Sequence, residues 1–168
     1  MTTQIIYYSK YGSTKEIAKS IQAKLGAELS CDVRDLTDIS GDLLIIGSSI
    51  YTETSHKEIL SLLRDNDRLK DKAVCLFVVC LARELVKTPK RDVGGPVYLR
   101  RLEEALGRPP VATQIFGGRM IPAEMEEKER ISTEQYYRKM GMPFHDTDLM
   151  KEQEVDEFVG NIKAGMNR

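Results

Sequence analysis

"IIYYSKYGSTKEIA", residues 5–18, changes character twice. It opens as an apolar run with the β-branched and aromatic residues of a strand, passes through Ser9, Tyr11, Gly12, Ser13 and Thr14, and ends on helical spacing. A strand that turns through hydroxyls into a helix gathers free backbone N–H groups, the positive end of the helix dipole and Ser/Thr donors in one loop. Such a loop can hold an anion. Capping of the helix by Ser13 or Thr14 is the plainer reading, and it explains one hydroxyl rather than the cluster.

Outward from this stretch, apolar runs predict strands at about 3–8, 29–34, 43–47, 73–79 and 111–116. "DLLIIGSS" and "AVCLFVVC" are continuous rather than alternating, as in parallel strands covered on both faces. Helical stripes lie between them: Ile17, Ile21 and Leu25; Ile59, Leu62 and Leu63; Tyr98, Leu102 and Leu106; Val155, Phe158, Val159 and Ile162. Gly26 and Gly107 stand where C-caps are wanted. This alternation predicts a single open α/β domain. Residues 35–41 leave room only for a turn, and residues 118–147 form a long insert, rich in Glu, Lys and Arg, with a polar helix near 124–140.

The chain has 168 residues, 41% hydrophobic and 30% charged, with a formal net charge of −1. That balance favours neither nucleic acid nor an anionic membrane as partner. Cys31, Cys75 and Cys80 contain no C-x-x-C, and Cys75 and Cys80 fall on opposite faces of one strand, which predicts reduced thiols and a cytoplasmic location. The N-terminus runs straight into a strand, so no signal peptide is expected, and no apolar stretch is long enough to span a bilayer.

The first loop lacks G-x-G-x-x-G and G-x-x-x-x-G-K-[ST], so neither a dinucleotide nor a nucleoside triphosphate loop is expected. "YYSKYGSTKEIA" instead resembles the FMN-phosphate loop of flavodoxins, [ST]-x-[ST]-G-x-T, matching at Ser9, Gly12 and Thr14 and departing at Tyr11. "DLLIIGSSIYTE" resembles their third strand and the loop that lays an aromatic ring on the flavin. "SSIYTETSHKEI", "FVVCLARELVKTPKR" and "ATQIFGGRMIP" are similar to segments of the flavodoxin-like, menaquinone-dependent protoporphyrinogen dehydrogenases. That branch carries a basic, apolar insert after the fifth strand, whereas this insert is polar and Glu-rich.

The resemblance implies a flavodoxin-like three-layer α/β sandwich with a five-stranded parallel sheet of order 2-1-3-4-5. Ligands bind where that order reverses, a rule for which flavodoxin is itself a standard example. FMN phosphate is then expected on Ser9, Lys10, Tyr11, Gly12, Ser13 and Thr14. The flavin ring is expected between Ser48, Ser49, Ile50, Tyr51 and Thr52 on one side and Cys80, Leu81, Ala82 and Arg83 on the other. Tyr51 is the candidate stacking ring, or else a half-buried aromatic closing the sheet edge. Gly117 and Gly118 allow close approach to the ring or simply end a strand. Cys80 offers a polar contact or is a small buried apolar residue. His56 opens the second helix and His145 borders the insert, and neither has partners at metal-ligand spacing.

Arg83, Lys87, Lys90, Arg91, Arg100 and Arg101 form a basic cluster, either a solvated loop or a landing site for an acidic redox protein or for substrate carboxylates. Flavodoxin carriers hold the one-electron form of the cofactor through a backbone turn at Gly or Asn, and "SSIYTETSH" has neither. The resemblance therefore implies an FMN-dependent oxidoreductase, with a quinone, a porphyrinogen or a redox protein as electron partner. A flavodoxin-type carrier and a flavodoxin-fold scaffold without FMN are the alternatives.

Overall fold

The computed structural model describes residues 1–51 and 54–167. Five strands, β1 (Thr3–Tyr8), β2 (Leu29–Asp32), β3 (Leu43–Tyr51), β4 (Ala73–Cys80) and β5 (Thr113–Gly117), form a parallel sheet in the order 2-1-3-4-5. The main helices are α1 (Ser13–Leu25), α2 (Lys57–Arg64), α3 (Gly95–Leu106), α4 (Glu127–Lys139) and α5 (Glu152–Met166).

Strand period two sorts the core into two faces. Ile5, Ile45, Cys75 and Phe77 face α1 and α5 through Ile17, Ile21, Val155 and Phe158. Ile6, Leu44, Ile46 and Leu76 face α2 and α3 through Ile59, Leu62, Tyr98 and Leu102. This is the expected three-layer sandwich, and Cys75 and Cys80 lie on opposite faces of it. Gly47 is small because the Phe77 ring lies across it; a Cβ there would enter the ring.

Boundaries differ from the sequence reading where side chains intervene. β2 stops at Asp32 because its carboxylate accepts the Arg34 N–H and starts a 3-10 turn over Val33–Asp35. β3 continues to Tyr51 because Thr54–Ser55 folds back against it, pairing Ile50 with Ser55 and Tyr51 with Thr54. β5 starts at Thr113. A short helix over Asn66–Leu69, which no periodicity announced, leads into β4.

The insert leaves the sheet through Arg119–Met120, which pairs antiparallel with Thr147–Asp148. Its helix α4 buries no residue. Among the described residues no helix is long and apolar enough to cross a membrane.

Because Met120 and Thr147 are paired, a short Gly/Ser turn can replace residues 122–145 without moving the strands. Thermal unfolding of that variant should remain cooperative, with Tm lowered by about 2–4 °C, equivalent to roughly 1 kcal/mol for a domain of this size. Loss of the cooperative transition would place the insert in the core.

Candidate functional site

The loop between β1 and α1 is built around Ser9. Its N–H donates to Asp32 Oδ2 (3.2 Å), and its hydroxyl oxygen accepts from the N–H groups of Gly12 (3.2 Å) and Lys15 (3.3 Å). Arg34 grips Asp32 with Nε on Oδ1 (2.7 Å) and Nη2 on Oδ2 (2.8 Å), and the same Nη2 reaches the Ser9 carbonyl (3.1 Å). Burial alone would raise the Asp32 carboxyl. Hydrogen bonds from the Arg34 guanidinium and from the Arg34 and Ser9 amides hold it below its ordinary value.

Gly12 takes φ +99, a left-handed conformation that strains any residue with a Cβ, and it precedes the helix without a side-chain cap. Neither Ser13 nor Thr14 caps α1, contrary to the plainer sequence reading. Both lie within its first turn and are buried, and Thr14 Oγ1 has no hydrogen-bond partner.

Tyr51 enters this loop from the end of β3. Its hydroxyl oxygen accepts from the N–H groups of Lys10 (3.2 Å) and Tyr11 (3.3 Å). Burial raises its pKa and keeps it a neutral hydroxyl. Its ring meets Tyr8 and Tyr11 edge-on, at centroid distances of 6.3 and 5.8 Å. Tyr8 is stacked on His56 (3.6 Å) and lies under the Arg34 guanidinium (4.9 Å). His56 caps α2, its Nδ1 accepting from the Glu58 N–H (3.4 Å), as the sequence indicated. The sequence reading found Tyr51 but not this group of four rings; its signal was Tyr8 at the end of β1, the strand that shares a register with β3.

The insert also reaches the loop. Lys10 Nζ lies 2.8 Å from Glu129 Oε2 and 3.3 Å from Glu126 Oε2. The Tyr11 hydroxyl donates to Glu129 Oε2 (2.5 Å) and accepts from the Glu126 N–H (3.2 Å). Arg119 pairs with Glu16 on α1. The Lys10 ammonium is strengthened by the Glu129 carboxylate, and burial followed by the Glu129 contact raises the Tyr11 phenol. These contacts join residues more than a hundred positions apart, and no local pattern announces them.

Other predicted residues behave differently. Ser48 is fully buried and its hydroxyl is committed within the chain, donating to the Ser49 carbonyl (3.0 Å) and accepting the His56 N–H (3.1 Å). Ser49 is buried beside it, and Ile50 is partly buried. Thr52, and Glu53 beside it, lie outside the described residues. Cys80 is buried, its thiol donating to the Ala82 carbonyl (3.4 Å) and pushed up to about 12 by burial, which suits the small apolar residue rather than a reactive one.

Arg83 does not join an open cationic patch. Its Nη2 pairs with Glu154 Oε1 of α5 at 2.6 Å. Leu81 accepts the Arg83 N–H and Ala82 the Gly95 N–H, so backbone bonds shape this turn. The space beside Gly117 is taken by Leu149: a Cβ would collide with its carbonyl, so the close approach required there is by the chain itself. Gly118 donates to the Cys80 carbonyl and has only ordinary contacts. Lys87 and Lys90 lie on an exposed hairpin formed by Val86–Lys87 and Asp92–Val93.

A cavity of about 740 Å³ opens on the β2 side of the loop. Ser9, Lys10, Tyr11 and Gly12 share it with Lys15, Lys19 and Arg34, while residues 48–51 and 80–83 do not line it.

The sequence pattern of the flavodoxin domain matches residues 4–148, and the chain belongs to that family. Among solved structures it is similar to a flavoprotein in complex with FMN from Lactobacillus acidophilus, with a TM-score of 0.50 and 17% identity over 69% of this chain and 90% of that one. It is also similar to a flavodiiron core from Synechocystis, with a TM-score of 0.52 and 12% identity over 99% of this chain and 36% of that one. At these identities the likeness is one of fold, and the chain spans about a third of the flavodiiron protein's length. No curated protein matches the chain.

Tyr51→Phe tests the hydroxyl's part in the loop. It keeps the ring and leaves the Lys10 and Tyr11 amides without their acceptor, which should cost about 1–3 kcal/mol of stability in the ligand-free protein. Urea unfolding measures this. An unchanged midpoint would show that water serves the two amides equally well.

Proposed function

We propose that the chain binds FMN, with its phosphate on Ser9, Lys10, Tyr11, Gly12, Ser13 and Thr14, and works as an oxidoreductase of the protoporphyrinogen-dehydrogenase-like branch. The observation that carries the phosphate site is Thr14 Oγ1, a fully buried hydroxyl without a partner in the first turn of α1; the branch rests on the resemblance in sequence. A buried donor left unpaired is costly, and a phosphate oxygen at the helix N-terminus would satisfy it. The buried Ser9 and Ser13 and the left-handed Gly12 fit the same group.

FMN supplies the redox chemistry, and this chain binds, orients and shields it. Tyr51 offers a flat ring, and Ser49, Ile50, Leu81, Ala82 and Gly118 offer backbone and small side chains at the same end of the sheet. A porphyrinogen fits as electron donor, since the exposed Lys87, Lys90 and Arg100 can attract its carboxylates, and a quinone is the acceptor that the resemblance implies.

Two observations favour other readings. The cationic hairpin equally suits an electron carrier for an acidic redox protein. The Tyr51 hydroxyl already occupies two loop amides, which suits a flavodoxin-fold scaffold without FMN. Yellow protein after purification sets the scaffold aside, and turnover of protoporphyrinogen IX with a quinone separates enzyme from carrier.

Thr14→Val is the sharper test of the site. It is close in shape and removes the unpaired hydroxyl, so the ligand-free protein should be as stable as the wild type or more stable. FMN affinity should nevertheless fall by about 1–3 kcal/mol, roughly fivefold or more. Equal FMN affinity in a fluorescence titration would put the phosphate elsewhere.

A further inference from the structure

Lys10 and Tyr11 hold the insert with the same groups that an anion would use. Lys10 Nζ is shared by the carboxylates of Glu126 and Glu129, and the Tyr11 hydroxyl bridges the Glu129 carboxylate and the Glu126 amide. Both glutamates lie at the start of α4, a helix that buries nothing else to anchor it. Inside the loop, the Tyr51 hydroxyl takes the backbone N–H groups of the same two residues. Lys10 and Tyr11 are thus engaged by this chain through two backbone amides on the Tyr51 phenol, the Lys10 ammonium on the Glu126 and Glu129 carboxylates, and the Tyr11 hydroxyl on Glu129.

We propose that the insert is a carboxylate clamp on the phosphate loop, and that a phosphomonoester ligand and the docked start of α4 exclude one another on Lys10 and Tyr11. The proposal rests on the phosphate reading of residues 9–14 and adds a regulation to it. A phosphate brings further negative charge to a loop that already faces Glu126 and Glu129. Like charges this close disfavour joint occupancy, and the cation they share can be fully paired with only one of them. Coupling of this kind is reciprocal: what weakens the clamp strengthens ligand binding, and the ligand loosens the clamp by the same factor.

The released segment is built to move. α4 has no buried side chain, and the Arg119–Met120 and Thr147–Asp148 ribbon holds its base to the sheet. The Arg119–Glu16 pair adds a second hold between this ribbon and α1. Release would uncover the loop from the insert side when a ligand carries a phosphate and leave it covered when the ligand lacks one. Ligand class is therefore read by charge: FMN opens the insert and riboflavin does not.

The test combines a titration with hydrogen exchange on the whole chain. On adding FMN, amide exchange over residues 127–139 should accelerate severalfold, and riboflavin should leave it unchanged. In Glu129→Gln, that segment should exchange fast before any ligand is added, and FMN should bind about fivefold more tightly than to the wild type at low salt. Raising the salt should shrink the difference. Slower exchange over 127–139 with FMN, or weaker FMN binding by Glu129→Gln, would overturn the clamp and make Glu129 an orienting group for Lys10. If neither protein binds FMN, the cofactor reading fails on its own and inorganic phosphate becomes the probe. Tighter phosphate binding by Glu129→Gln then keeps the clamp, and equal binding, or none, overturns it.

Discussion

β1 is hydrogen-bonded in parallel register on both sides, Ile6 lying opposite Cys31 of β2 and Ile46 of β3. That double pairing constrains everything at its carboxyl end. A parallel neighbour on each side forces the chain to leave β1 over one face, through α1, and to return to β3 over the other. The turn after Tyr8 therefore opens at the point where the strand order reverses, with the end of β2 on one flank and the end of β3 on the other. Asp32 and Arg34 brace it from the first flank and Tyr51 from the second. A one-residue slip of β1 would exchange Ile5 with Ile6 between the two cores and remove the site together with the packing.

The consequence is a loop assembled from long-range contacts on a locally encoded frame. Ser9 gives its hydroxyl to the amides of Gly12 and Lys15, so the loop's curvature is fixed within six residues. Its surroundings come from far along the chain: Tyr51 from β3, Glu126 and Glu129 from the insert, Arg34 from beyond β2. Ser9, Ser13 and Thr14 of the frame are buried, and the surroundings are long side chains with polar ends. The site accordingly has one fixed part, the α1 N-terminus with Thr14, and one exchangeable part around Lys10 and Tyr11.

The fold was legible because its signals are local. Continuous apolar runs marked β3 and β4, helical stripes marked the faces of α1, α2, α3 and α5, and Gly26 and Gly107 end α1 and α3 in left-handed caps as their positions implied. The loop's residues were legible for the same reason. What escaped was pairing. Capping of α1 by Ser13 or Thr14 fails because the Ser9 hydroxyl, reaching back across the turn, takes the Gly12 and Lys15 amides instead. Arg83 reads as part of a cationic run, yet Glu154 of α5 neutralises it. Gly117 reads as room for a ligand or as a strand stop; it ends β5, and Leu149, brought back by the insert's ribbon, takes the space beside it. Each of these contacts involves a partner that only the folded topology supplies.

The central claim is that a phosphate belongs on the fixed part of this loop. The most direct measurement follows the backbone amide resonances of Gly12, Ser13 and Thr14 in nitrogen-15-labelled protein while FMN or riboflavin is added. FMN should move all three strongly and saturably, and riboflavin, lacking the phosphate, should bind more weakly and leave them in place. Equal binding of the two flavins with no movement at these three residues would contradict the account.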